Sequence, residues 1–121
     1  MQDNKVLPFV QKITSLNDYQ REALRTANQG NPQDLLLNGV MGMCGEAGEC
    51  IDALKKSVFQ GHELDTEHLV KELGDVLWYV AISAHALGYK LSDVATLNSE
   101  KLRARYPQGF DKNRSIHRPT E

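Results

Sequence analysis

Glu46 and Glu49 stand three residues apart, as do Glu72 and Asp75, and each pair lies in a segment with the apolar period of a helix. Positions i and i+3 share a helix face, so each segment presents two carboxylates in one direction. Glu46 lies as far before a bend at Gln60-Gly61 as Asp75 lies after it, and Glu49 and Glu72 are matched in the same way. A helical hairpin would therefore set the two pairs level and facing. Four facing carboxylates repel and raise one another's proton affinity unless cations neutralise them, and hard oxygen donors select Mg2+ or Mn2+. A divalent metal site at Glu46, Glu49, Glu72 and Asp75 is the expectation. The plainer reading is a solvated acidic face. The apolar neighbours weigh against it, with Cys50 and Ile51 beside one pair and Val76, Leu77 and Trp78 beside the other.

Other residues fall at distances that suit a phosphorylated ligand. Lys56 follows Glu49 by seven positions on the same face, where it either reaches phosphate oxygens or is a solvated lysine. Tyr79 stands one turn beyond Asp75 and either stacks on a base or sugar or packs in the core. Asn98, three residues before Lys101, is a hydrogen-bonding partner for sugar or phosphate, or a surface residue. Lys101 and Arg105 are an i, i+4 pair, and basic residues late in a helix also complement its dipole. His62 and His68 are expected to flank the bend about 15 Å from the acids, with His85 beyond them on the other side. No histidine has the Glu-x-x-His spacing of a di-iron bundle, so all three read as structural. Cys44 and Cys50, six positions apart on one helix and so about 9 Å along its axis, are too distant for a disulfide and read as buried, inert thiols.

The string Gly45-Glu46-Ala47-Gly48-Glu49, followed after Lys55-Lys56 by Glu72-Leu73-Gly74-Asp75-Val76-Leu77-Trp78-Tyr79, resembles the E-x-x-E and E-x-x-D signature of the MazG-like all-α nucleotide pyrophosphohydrolases. Phe59-Gln60-Gly61-His62, Asn98, Lys101-Leu102, Arg105-Tyr106-Pro107 and Gly109-Phe110 look like later parts of that pattern, and the resemblance covers roughly residues 16 to 110. It implies an all-α, antiparallel four-helix bundle-like domain that assembles as a homodimer or homotetramer. It also implies Mg2+-dependent cleavage of a nucleoside triphosphate between the α and β phosphates, giving a monophosphate and pyrophosphate, in the house-cleaning of noncanonical or excess nucleotides. The four acids would hold one to three ions, one glutamate such as Glu49 would place the water, and Lys101 and Arg105 would hold the triphosphate. Two other readings stay open. Phosphoribosyl-ATP pyrophosphohydrolases have a similar bundle and similar acidic motifs, and a non-catalytic nucleotide-binding or helical interaction module could retain the fold alone.

These residues need helices to carry them, and the punctuation supplies four. Asn17-Asp18 caps a first helix running to about Asn28, and Asn31 with Pro32 starts a long second helix ending near Gly61. Asp65 caps a third ending at Gly88, and Ser92 a fourth running through Arg105 to a stop at Pro107. On the second helix Leu37, Val40, Met43, Cys44, Ala47, Ile51, Leu54 and Val58 form one broad apolar stripe beside Glu46 and Glu49. On the third, Leu69, Leu73, Val76, Val80, Ala84 and Leu87 form a core stripe, and Trp78 points the opposite way, as if toward another subunit. Gly39, Gly42, Gly45 and Gly48 each cost the second helix up to ~1 kcal/mol relative to alanine, so close approach of a helix or ligand is expected there.

With 121 residues the chain reads as one domain, an arm over residues 1–14 and a flexible tail over 108–121 flanking the core. A net charge of −2 and a pI of about 6.1 give no overall attraction to nucleic acid or anionic membrane. No apolar run approaches the ~18 residues of a membrane span, and Met1-Gln2-Asp3-Asn4 lacks the pattern of a secretion signal, so a cytoplasmic place is expected.

Overall fold

The computed structural model describes residues 10–28 and 30–117. Among them five helices follow in order: α1 (Leu16–Leu24), α2 (Pro32–Gln60), α3 (Thr66–Ala86), α4 (Leu91–Arg105) and α5 (Lys112–Ile116). The fold is all-α, as expected, and the described residues form no strand beyond an isolated bridge between Pro107 and Gly109.

The long hairpin begins and ends where its punctuation says. Asn31 Oδ1 accepts the Gln33 N–H at 2.8 Å, and Gly61 terminates α2 in the left-handed region at φ +72. Asp65 Oδ1 accepts the His68 N–H at 3.0 Å and starts α3, and Gly88 at φ +82 closes the turn after it.

The other two starts differ from expectation, and for one shared reason. Ser15 caps α1, its Oγ accepting the Asp18 N–H at 3.1 Å, because Asn17 is used elsewhere: its Oδ1 accepts the Ser92 N–H at 3.0 Å. Gln20, buried, accepts the Leu91 N–H through Oε1. Two α1 side chains thereby take up open donors at the start of α4, so α4 begins after Lys90 without a conventional cap at Ser92. Gln20 Nε2 also donates to Ala81 O and Tyr89 O, tying α1 to α3 and the α3–α4 turn. The first helix stops at Leu24 and continues as tight i→i−3 turns through Ala27 instead of a full α-helix to Asn28.

α3 is the central element: α2 packs along one side, and α1 and α4 against the others. Trp78 does not look outward to a partner. It packs on the cluster of Ala23, Ala81 and Leu91, and its Nε1 donates to Ala23 O and Thr26 Oγ1 at 3.1 Å each. The α2–α3 seam is built from small residues. A Cβ on Gly39 would collide with Ser83, and one on Gly42 with the ring of Tyr79, so these two glycines let the helices close, while Gly45 and Gly48 meet nothing within 4 Å.

The apolar stripe of α2 is therefore not the face that meets α3. Ile51 is 62% exposed and Val58 69%, and on α3 Leu73 is 55% exposed, with Leu87 also open. Successive helix positions turn by roughly 100°, so Ile51 and Val58 are swung well away from the Gly39, Gly42 and Glu46 side. Cys44 shares that outward displacement and is exposed, contrary to the buried thiol expected; Cys50 is half-buried, and both are free.

Residues 10–14 have no regular structure, and the rest of the expected arm, residues 1–9, lies outside the described residues. Part of the expected flexible tail is instead helical. Asp111 Oδ1 caps α5 through the Asn113 N–H at 2.8 Å, and the Arg114 side chain donates to Arg105 O and Ala104 O, docking α5 on the end of α4. Residues 118–121 lie outside the described residues. No helix among the described residues is long and apolar enough to cross a membrane.

Candidate metal centre

The contacts of Gly39 with Ser83 and of Gly42 with Tyr79 run down an antiparallel hairpin and deliver Glu46 to the level of Asp75. Glu46, Glu72 and Asp75 each place an oxygen so that all three lie within 4.8 Å of one another. Glu49 is not in this trio. Three residues turn an α-helix by roughly 300°, so Glu49 points about 60° round the helix from Glu46, and it is exposed where Glu46 is half-buried. Its charge still acts on Glu46.

Proton affinity records the crowding. A hydrogen bond shared with Glu72, then partial burial, then the negative charges of Asp75, Glu72 and Glu49 hold the Glu46 carboxyl above the ordinary glutamate value. A proton does for Glu46 and Glu72 what a cation does better, because a divalent ion compensates several carboxylates at once. Three hard oxygens converging from two helices fit Mg2+ or Mn2+.

Two side chains beside the trio escaped the sequence reading. Tyr19 of α1 brings its hydroxyl to 3.5 Å from Gly74 O, and burial, followed by the charge of Asp75, raises its pKa. No spacing in the chain could have placed it there, since the approach depends on how α1 lies across α3. His68 Nε2 lies 3.3 Å from Glu72 Oε1. The expected separation of about 15 Å does not hold: His68 and Glu72 are one turn apart on α3, about 6 Å along its axis, and the i, i+4 spacing was the available signal.

The expected ligand-contacting residues have these neighbours within the chain. Lys56 Nζ pairs with Asp52 Oδ2 of its own helix at 3.1 Å. Tyr79 is half-buried, its ring over Gly42 and edge-on to Trp78 with centroids 5.0 Å apart, which is the core-packing arrangement. Asn98 and Lys101 line a groove of about 650 Å³ whose α3 wall includes Leu77 and Ala84. Leu77 follows Asp75 by two positions, roughly 200° round the helix, so this groove opens on the side of α3 away from the acids. Arg105 is half-buried at the end of α4, its carbonyl taken by Arg114.

Comparison with known proteins follows the same acids. The family model described as MazG nucleotide pyrophosphohydrolase domain matches residues 37–110, more than half of the chain and a span holding all nine candidate residues. A similar protein is the Gene 37 protein of Mycobacterium phage L5, 41% identical over 73 residues, which are 57% of this chain and 64% of that relative. The match thus spans less than two thirds of the relative's length. No solved structure matches the chain.

Proposed function

This chain belongs to the MazG nucleotide pyrophosphohydrolase family, and we propose that it hydrolyses nucleoside triphosphates, NTP or dNTP, to the monophosphate and pyrophosphate with Mg2+, serving to clear noncanonical or excess nucleotides. The observation that carries this is the convergence of Glu46, Glu72 and Asp75 from two helices. When bound, a divalent ion supplies charge neutralisation for phosphate oxygens and a more acidic water. Glu46, Glu72 and Asp75 hold the ion. Glu49, outside the trio but close enough for its charge to act on Glu46, would take the proton of the attacking water and direct that water at the phosphorus. Tyr79, locked over Gly42, fixes the seam and so the spacing of the carboxylates.

The acting unit in this reading is a homodimer or homotetramer in the cytoplasm. Its support is the apolar surface that one chain leaves uncovered: Val40, Ile51 and Val58 on α2 and Val70 and Leu73 on α3 are all exposed. A second copy covering this surface also answers the position of Lys101 and Arg105. Lys101 lines a groove on the side of α3 away from its own acids, and with Arg105, also on α4, it reaches a triphosphate at the acids of a neighbouring copy, where Asn98 and Lys56 add polar contacts.

The deciding experiment is a panel of standard and modified triphosphates, with phosphoribosyl-ATP included, incubated with Mg2+ and resolved by product. Monophosphate plus pyrophosphate supports the proposal. Diphosphate plus phosphate contradicts the bond assignment, turnover of phosphoribosyl-ATP alone moves the chain to that substrate, and binding without turnover makes it a nucleotide-binding module.

A further inference from the structure

The helix positions of α3 locate the open side of the acidic trio. Tyr79 and Ser83 meet α2 across Gly42 and Gly39, while Trp78 and Ala81 are hydrogen-bonded to Ala23 and Gln20 of α1. Round the axis, Tyr79 lies about 40° from Asp75 on one side and Trp78 about 60° on the other. Asp75 therefore points into the angle between α2 and α1. Tyr19 of α1 borders that angle. Its ring is used in packing against the cluster of Ala23, Ala81 and Leu91, and its hydroxyl lies at the exposed edge, close enough for the charge of Asp75 to act on it. Its acceptor in the fold, Gly74 O, is 3.5 Å away, against about 2.7–2.8 Å for a fully formed hydroxyl hydrogen bond. The hydroxyl is thus weakly engaged. The space beside Gly74 is open, since a Cβ there would meet nothing within 4 Å. Glycine inside a helix is less favourable than alanine, and no packing neighbour accounts for this one.

Resting on the proposed triphosphate hydrolysis, we infer that Tyr19 contacts the substrate: its hydroxyl donates to a non-bridging oxygen of the phosphate held at the acids of its own chain. The hydroxyl keeps its proton and no bond to it breaks. Burial, then the charge of Asp75, raises its pKa, so it stays a neutral donor across the physiological range. A hydrogen bond to an anionic phosphate oxygen is charge-assisted and replaces the long one to Gly74 O. A donor fixed by a packed ring needs no reordering as charge shifts over the phosphate oxygens during hydrolysis. Tyr19 thereby supplies from the acids' own chain what Lys101 and Arg105 supply from a neighbouring copy.

The test compares the wild-type chain with Tyr19→Phe, which keeps the packed ring and should melt near the wild-type temperature. Calorimetry with Mg2+ alone, and then with the α,β-methylene analogues of the common deoxynucleoside triphosphates in Mg2+, reads binding without turnover. Pyrophosphate release reads turnover. Tyr19→Phe should leave Mg2+ affinity within about twofold, weaken the analogue about fivefold or more, and lower kcat/KM about ten- to a hundredfold. Wild-type analogue affinity and kcat/KM in the variant overturn the proposal and leave Tyr19 as a packing residue of α1. A fall in Mg2+ affinity that accompanies the loss of turnover also overturns it, because Tyr19 would then act by positioning Asp75. The hydrolysis reading fails separately: a wild type that binds the analogue but releases no pyrophosphate removes it, and weaker analogue binding by Tyr19→Phe still supports the contact. A wild type that binds no analogue overturns both.

Discussion

Three carboxylates within 4.8 Å of one another oppose folding of the cation-free chain and favour it once a cation is bound, so charge removal should separate function from stability. Asp75→Asn is expected to cut kcat/KM by at least about a hundredfold, about 2.7 kcal/mol or more, in a pyrophosphate-release assay. Its melting temperature without metal should equal or exceed the wild type's. The pH dependence has a defined sign. The carboxyl of Glu46 is raised in the folded state, so its contribution to metal-free stability is fully present below the unfolded glutamate value and is lost as pH rises through the folded value. Denaturant melts of the metal-free protein across mildly acidic pH should show that loss, and Glu46→Gln should remove this contribution. Saturating Mg2+ should offset the loss near neutral pH, because binding to the folded state alone adds stability.

The helices meet through small residues at the seam and through one buried amide at the α1 junction, and both contacts can be tested by substitution. Gly42→Ala drives a methyl group into the ring of Tyr79 and should destabilise the chain by about 1–3 kcal/mol despite the better helix propensity of alanine. Gly45→Ala on the same helix meets nothing within 4 Å and should raise the melting temperature, with a gain of up to ~1 kcal/mol. Equal effects at the two positions would mean that the α2–α3 seam is looser than described. Gln20→Ala removes the partner of Ala81 O, Tyr89 O and the Leu91 N–H together and should cost about 2–4 kcal/mol by chemical denaturation.

As a whole molecule, the single chain covers its core around Ala81 and Leu91 but leaves the outer face of its longest helix apolar. Light scattering at micromolar concentration should give the mass of at least two chains, and the double substitution Ile51→Asp with Val58→Asp should shift it toward one. Lys101→Ala should lower kcat/KM by roughly ten- to a thousandfold, about 1.4 to 4 kcal/mol, with Mg2+ binding nearly unchanged. If α4 of one copy serves the acids of another, mixing Lys101→Ala chains with Asp75→Asn chains should restore part of the activity. No recovery would leave Lys101 to its own groove.

Local signals settle within a few residues, and there the amino-acid order was sufficient. Asn31-Pro32, Gly61, Asp65 and Gly88 bound the hairpin because caps and left-handed glycines act on their own turn, and equal distances from the bend bring Glu46 and Asp75 level. The order also carried the family, since its paired acidic motifs lie within residues 37–110. Tertiary packing decided the rest, because it sets which side of each helix is covered. The broad stripe of α2 marked a core by hydropathy, yet the hairpin closed through Gly39 and Gly42, whose missing side chains give the closest approach, and so left Ile51 and Val58 outside. Trp78 turned to α1 because Ala23 O and Thr26 Oγ1 satisfy its indole there, and α4 could start at Leu91 because Gln20 and Asn17, remote in sequence, supply its missing acceptors. Periodicity fixes which residues share a face; the neighbours available in space decide what that face meets.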